Sequence, residues 1–298
     1  MKTVTVDSLI GGIRFLLSQF PASDDTFLLY GLANHYMVHI FGKDWVNQIT
    51  FGMHSNVPRH NRAGRQFLRA ENETEDDGFR HQERCLSIAE HLVNLQDVEG
   101  IDDRVAALTQ GQIESTYAEL QAGGFLAERG LNFRFVTPSG MKGLDYDAEI
   151  QLSDGMKVNC EMKCKIEESY LSKPGILTRL NDARKQLPKG EPAIIFLKIP
   201  ESWILQEDIV AVLLNALADF FRSTKRIVSV VVCWEVVQLE LNGPGGLISY
   251  QFHMERNVRL PDFSKTIIEL LDILALEYGQ FEPRWLSFRK LVERFGQS

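Results

Sequence analysis

The chain has 298 residues, 44% of them hydrophobic and 24% charged, which is enough apolar material for one large domain or two ordinary ones. With 32 basic against 40 acidic side chains the net charge is −8, which argues against a surface coated in basic charge for non-specific nucleic-acid binding but leaves room for a local basic cleft. No apolar run is long enough to span a bilayer, no secretory-type segment opens the chain, and Cys85, Cys160, Cys164 and Cys233 form no CxxC pair, so a cytoplasmic protein with reduced core thiols is expected.

The first hundred or so residues read as helical. Leu9, Ile13, Leu16 and Leu17 recur at helical spacing after Asp7, the expected N-cap. A second apolar segment runs from Phe27 to Phe41. His35 and His39 stand four apart in it, but no glutamate of the zinc-protease type lies between them, and packing is their expected role. The stretch from Ser55 to Asp77 is polar and rich in turn residues. There Arg59, Arg62 and Arg65, with His54 and His60 beside them, make a basic loop in an acidic chain. The loop is a candidate nucleic-acid contact, and binding through it would weaken steeply with salt; the alternative is a solvated loop. Cys85, Ile88, Ala89, Leu92 and Leu95 mark a further amphipathic helix. Residues 1–108 hold no set of acids and bases with the spacing of a site. This helical N-terminal region is expected to supply substrate contacts or a surface for a protein partner, a second copy of the chain included.

The pattern changes near residue 110, and residues 109–298 are expected to form an α/β domain. Ile113 to Arg129 reads as a helix, weakened by Gly123 and Gly124 and stopped by Gly130. Short alternating segments follow over 131–136, 143–152 and 156–164. A helix over 176–187 ends at Pro188, an apolar strand occupies 193–199, and a helix occupies 207–221. Strands over 227–239 and 247–253 flank Gly243-Pro244-Gly245-Gly246, a hairpin loop and not a phosphate cradle, because no helix follows it. A last helix covers 261–278. This order predicts a mixed sheet with helices on both sides.

Ser153-Asp154-Gly155 is a turn signal between two alternating runs. A three-residue loop with Gly155 left-handed sets Leu152 against Met156, Ile150 against Val158, Ala148 against Cys160, Tyr146 against Met162 and Leu144 against Cys164. A two-residue loop would set each apolar residue against a polar one. The same register sets Asp147 opposite Glu161 and Asp145 opposite Lys163, with Cβ atoms roughly 4.5–5.5 Å apart. Two carboxylates that close repel unless a cation lies between them. Mg²⁺ or Mn²⁺ suits them, since Mg²⁺ commonly takes one or two carboxylates plus water and substrate phosphate. Lys163 points the same way as Glu161 and could hold a phosphate or stabilise an attacking water. The bland alternative is a solvated polar face on an amphipathic hairpin.

The order of these elements resembles the PD-(D/E)xK superfamily of phosphodiesterases, which includes restriction endonucleases, junction resolvases and repair nucleases. Leu144-Asp145-Tyr146-Asp147 stands where the family's Pro-Asp strand would be, and Glu161-Met162-Lys163 matches its (D/E)-x-K. The resemblance covers roughly residues 112–200 and implies a restriction-endonuclease-like core. It implies a metal-dependent hydrolase acting on nucleic acid, DNA being the expected substrate. Asp147 and Glu161 would hold the metal, with the Met162 carbonyl as a further ligand, and Lys163 would be catalytic. Glu119, on the preceding helix, would position the metal or water. Asp145 is the alternative to Asp147. Lys165 and Gln186 are candidate backbone contacts, while Arg184 and Lys185 suit a helix C-terminus equally well. The alternative function is a protein that keeps the nuclease fold without the chemistry and binds nucleic acid or protein.

Overall fold

The computed structural model describes residues 3–49, 67–68, 75–141, 143–164, 169–239, 246–259, 265–276 and 285–296. The basic loop with Arg59, Arg62 and Arg65, its neighbours His54 and His60, Lys165 and the hairpin loop at 243–245 lie outside the described residues. No helix among the described residues is long and apolar enough to cross a membrane.

Six strands form one mixed sheet in sequence order: β1 (Phe133–Phe135), β2 (Ala148–Gln151), β3 (Lys157–Cys164), β4 (Ala193–Lys198), β5 (Ile227–Leu239) and β6 (Gly246–Arg256). The strands β1, β2 and β3 are antiparallel, β3, β4 and β5 are parallel, and β6 returns antiparallel to β5. Parallel neighbours need a crossover. The first is α7 (Lys173–Gln186); the second contains the short α8 (Glu201–Ile204) and then α9 (Ile209–Arg222). Before the sheet come α1 (Val6–Gln19), α2 (Asp25–Phe41), α3 (Lys43–Ile49), α4 (Glu75–Asn94), α5 (Ile101–Thr109) and α6 (Ile113–Glu128). After it come α10 (Lys265–Leu274) and α11 (Phe288–Phe295).

Helices on both faces explain the composition of the central strands. All six residues of β4 are buried, as a parallel strand covered on both sides requires. Ile194 and Phe196 belong to a core shared with α1, α2, α4, α6, α10 and α11. Ile195 and Leu197 face a second core built with α7 and α9. Each fully buried Leu, Ile or Phe stabilises the fold by about 1.5–3 kcal/mol relative to exposure. The N-terminal helices pack into the first of these cores: Leu9, Leu28 and Leu32 join one apolar cluster with Leu120, Phe196 and Phe288.

Several local expectations need correction. The cap of α1 is Thr5, not Asp7. Thr5 Oγ1 accepts from the Ser8 amide while Ser8 Oγ accepts from the Thr5 amide, a reciprocal arrangement that leaves Asp7 in the first turn. His35 and His39 are exposed on α2 and are not core residues; His35 only leans on Phe15. Helices α3, α5 and α11 were not expected from periodicity, being 7 to 9 residues long. Gly123 and Gly124 do not weaken α6 in place. A Cβ at Gly123 would stand 2.6 Å from Phe135 Cζ, and one at Gly124 2.7 Å from His91 Nε2, so the glycines let the helix approach its neighbours. All four cysteines are free, and three of them are buried, as expected of core thiols.

Candidate active site

The hairpin between β2 and β3 has the expected register. Ile150 pairs with Val158 and Ala148 with Cys160. Leu152 donates its amide to Met156, and Gly155 takes a φ of +83° in the turn. The regular ladder ends at Ala148, however. Asp147 donates its amide to the Cys160 carbonyl, so Asp147 and Ala148 together stand against Cys160 in the manner of a β-bulge. A bulge inserts one residue and shifts the alternation. Tyr146 accordingly packs with the second core while Ala148 packs with the first, and Leu144 is exposed. The expected oppositions of Asp147 with Glu161, Tyr146 with Met162, Leu144 with Cys164 and Asp145 with Lys163 therefore do not form. Asp147 reaches the β3 strand differently: its Oδ2 accepts the Met162 amide at 2.7 Å.

The bulge separates the two candidate aspartates. Asp145 turns outward, where Oδ1 accepts from the amides of Ser139 and Gly140 and from Ser139 Oγ. These donors hold its carboxyl below the usual range. It is a loop anchor. Asp147 turns inward, where burial raises its carboxyl against the opposing pull of the Met162 amide, Lys163 and Arg104.

Glu161 lies on β3 and is fully buried. Burial, and then the charge of Asp147, push its carboxyl up to about 9. Lys163 ion-pairs with its Oε1, and the Asp147 and Glu161 carboxyls share a side-chain hydrogen bond. Lys163 is partly exposed, so the cluster meets solvent on that side. Glu119 joins from α6. Burial, and then the charge of Asp147, raise it to about 7, opposed by Arg104 and Lys163. The structure thus brings Asp147, Glu161, Lys163 and Glu119 into mutual electrostatic contact. Gln186 instead reaches the main chain of the outward Asp145, its Nε2 donating to that carbonyl at 3.5 Å.

Arg104 was missed in the sequence. It ion-pairs with Glu119 and donates to the carbonyls of Val136 and Asp147. The available signal was its place on α5: Ile101, Arg104 and Leu108 share the buried stripe. Arg184 and Lys185 make structural contacts, Arg184 with Ser223 and Lys185 with Asp182. A second ionic cluster was also unforeseen. Arg84 of α4 and Lys198 of β4 converge on Glu235 of β5, all three buried. Burial opposes the Glu235 charge, but Lys198 and Arg84 outweigh it and hold the carboxyl at about 2.

Among the described residues no three His, Cys, Asp or Glu side chains stand together as a ready metal cage. The cluster fits a sparser mode of binding. Two neighbouring carboxyls, one of them fully buried, with a partly exposed lysine beside them, suit a hard cation that keeps much of its water. An open cleft of about 810 Å³ near β1, lined by Glu99, Arg134, Lys157 and Trp285, contains none of the four candidate residues. Comparison of the chain with protein-family models, curated proteins and solved structures finds no match.

Proposed function

We propose that this chain is a metal-dependent nuclease of the PD-(D/E)xK type, with a restriction-endonuclease-like core, that hydrolyses phosphodiester bonds in DNA. One observation carries the reading. A bulge at the end of β2 re-aims Asp147 toward Glu161, beside Lys163 and within electrostatic range of Glu119. Bulges next to active sites commonly re-aim a side chain in this way. A merely solvated hairpin face would leave its acids in water, whereas here Glu161 is fully buried and burial raises the carboxyls of Glu161, Asp147 and Glu119 together.

Asp147 and Glu161, with the Met162 carbonyl, would hold Mg²⁺ or Mn²⁺. Bound there, the ion would supply Lewis-acid stabilisation of the phosphate and lower the pKa of an attendant water. The Met162 amide holds Asp147 in place through Oδ2, leaving Oδ1 for other partners. Lys163 brings a cation to the partly exposed side, where it can stabilise charge developing on a phosphate. Glu119 would orient the metal or its water.

A second reading has its own support. Glu161 is wholly covered, and Lys163 and Arg104 already offset the acids. On that reading the cluster only stabilises a binding module. Incubation of purified protein with plasmid and single-stranded DNA in Mg²⁺ or Mn²⁺ separates the two. The nuclease reading expects cleavage that EDTA abolishes, and at least a hundredfold loss in Lys163→Ala and Glu161→Ala variants that remain folded. Absence of both cleavage and metal binding in the wild type, or equal cleavage by both variants, would overturn it.

A further inference from the structure

We propose that Arg104 is a positioning residue for this cluster, acting through Glu119 and through the main chain of the bulge; the inference rests on the nuclease reading. Arg104 is buried, so it does not touch substrate. Its guanidinium spans the parts that have to be held in register. Nη1 donates to Glu119 Oε2 on α6. Nη2 donates to the Val136 carbonyl just after β1, at 2.6 Å, and reaches the Asp147 carbonyl at 3.5 Å. The Phe135 ring supports the group from below, with its centroid 5.3 Å from the guanidinium carbon.

The geometry calls for arginine in particular. A planar fork can serve a carboxylate with one nitrogen and main-chain carbonyls with the other, whereas an ammonium is a single point. Val136 also donates its own amide to Asp147 O, so the Asp147 carbonyl is held by the residue that follows β1 and by Arg104 together. One side chain thereby fixes the helix acid relative to the strand acid. Residues that orient the ligands of a metal typically influence affinity or activity by about 10–100-fold.

The test is Mn²⁺ binding, measured by calorimetry with the metal alone, on the full chain and on Arg104→Met, Arg104→Lys, Glu119→Gln and the Arg104→Met/Glu119→Gln double variant. Circular dichroism and urea unfolding check the fold of each. Arg104→Met is expected to lose about tenfold or more in Mn²⁺ affinity. Arg104→Lys, which keeps the charge but not the fork, should lose affinity too. In the Glu119→Gln background the share of the Arg104→Met effect that acts through Glu119 should vanish, so the double variant loses less than the sum of the two single losses. Additive losses would show a general structural role and overturn the proposal. If Arg104→Met fails to fold, Arg104→Lys decides: unchanged affinity overturns the fork. A wild type that binds Mn²⁺ no better than a folded Arg104→Met refutes this inference alone. A wild type that binds no Mn²⁺ refutes the nuclease reading with it.

Discussion

Replacing Glu161 by glutamine should stabilise the metal-free protein, and the size of the effect follows from the site. Burial and the Asp147 charge push the Glu161 carboxyl up to about 9, from an ordinary value of 4.5. Between those values the folded state retains a proton that the unfolded chain has released. Stability therefore falls as pH rises from 4.5 toward 9. At about 1.4 kcal/mol per pH unit, the loss at pH 7 is about 3 kcal/mol. Glutamine keeps the shape and cannot ionise, so it escapes this loss. Lys163 is partly exposed and can be solvated beside either a protonated glutamate or a glutamine. Asp147 and Glu119 are raised as well and leave a residual slope of the same sign. Urea unfolding in EDTA at pH 5 and pH 7 provides the measurement. The two proteins should be close at pH 5, with Glu161→Gln more stable by about 3 kcal/mol at pH 7. Added Mn²⁺ should stabilise the wild type and not the variant. A variant less stable than the wild type at pH 7 would refute the reasoning, because the Lys163 pair would then outweigh the desolvation of the acid.

The Arg84–Glu235–Lys198 cluster should behave in the opposite sense. Glu235 is held at about 2, so its contribution is present above pH 4.5 and is lost as pH falls toward 2. Glu235→Gln takes away the carboxylate on which two buried cations converge and should cost about 3–5 kcal/mol at pH 7, read from urea midpoints; a loss below about 1 kcal/mol would show that the trio is not a coupled unit. Gly123→Ala gains up to about 1 kcal/mol in helix propensity but sets a Cβ 2.6 Å from the buried Phe135 ring. Overpacking costs about 1–3 kcal/mol, so a net destabilisation of about 1 kcal/mol is expected in thermal or urea melts.

Much of the architecture was legible along the chain because the relevant signals are local. Alternation over 148–151 and 157–164, with Gly155 in the turn, specified the hairpin and its register, since a slip by one residue would reverse every side chain. The apolar run of β4 and the helices on either side of it pointed to a mixed sheet covered on both faces, whose centre the structure shows to be parallel. Glu161 and Lys163 could be named from the strand's Glu-x-Lys and Glu119 from the resemblance, but Asp147 was named from a direct opposition to Glu161 that the ladder does not make. What the chain could not show was where the ladder ends. The bulge at Asp147 depends on how β1 and β3 grip β2 from both sides, and it separates the inward Asp147 from the outward Asp145. Arg104 and the Arg84–Glu235–Lys198 cluster were invisible for the same reason. Their partners lie 15 to 151 residues away, and a charged side chain on a buried stripe has no meaning until the fold supplies its counter-charge. Spacing determines which residues can share a strand or helix face; only the packed elements decide which of those charges lose water and meet.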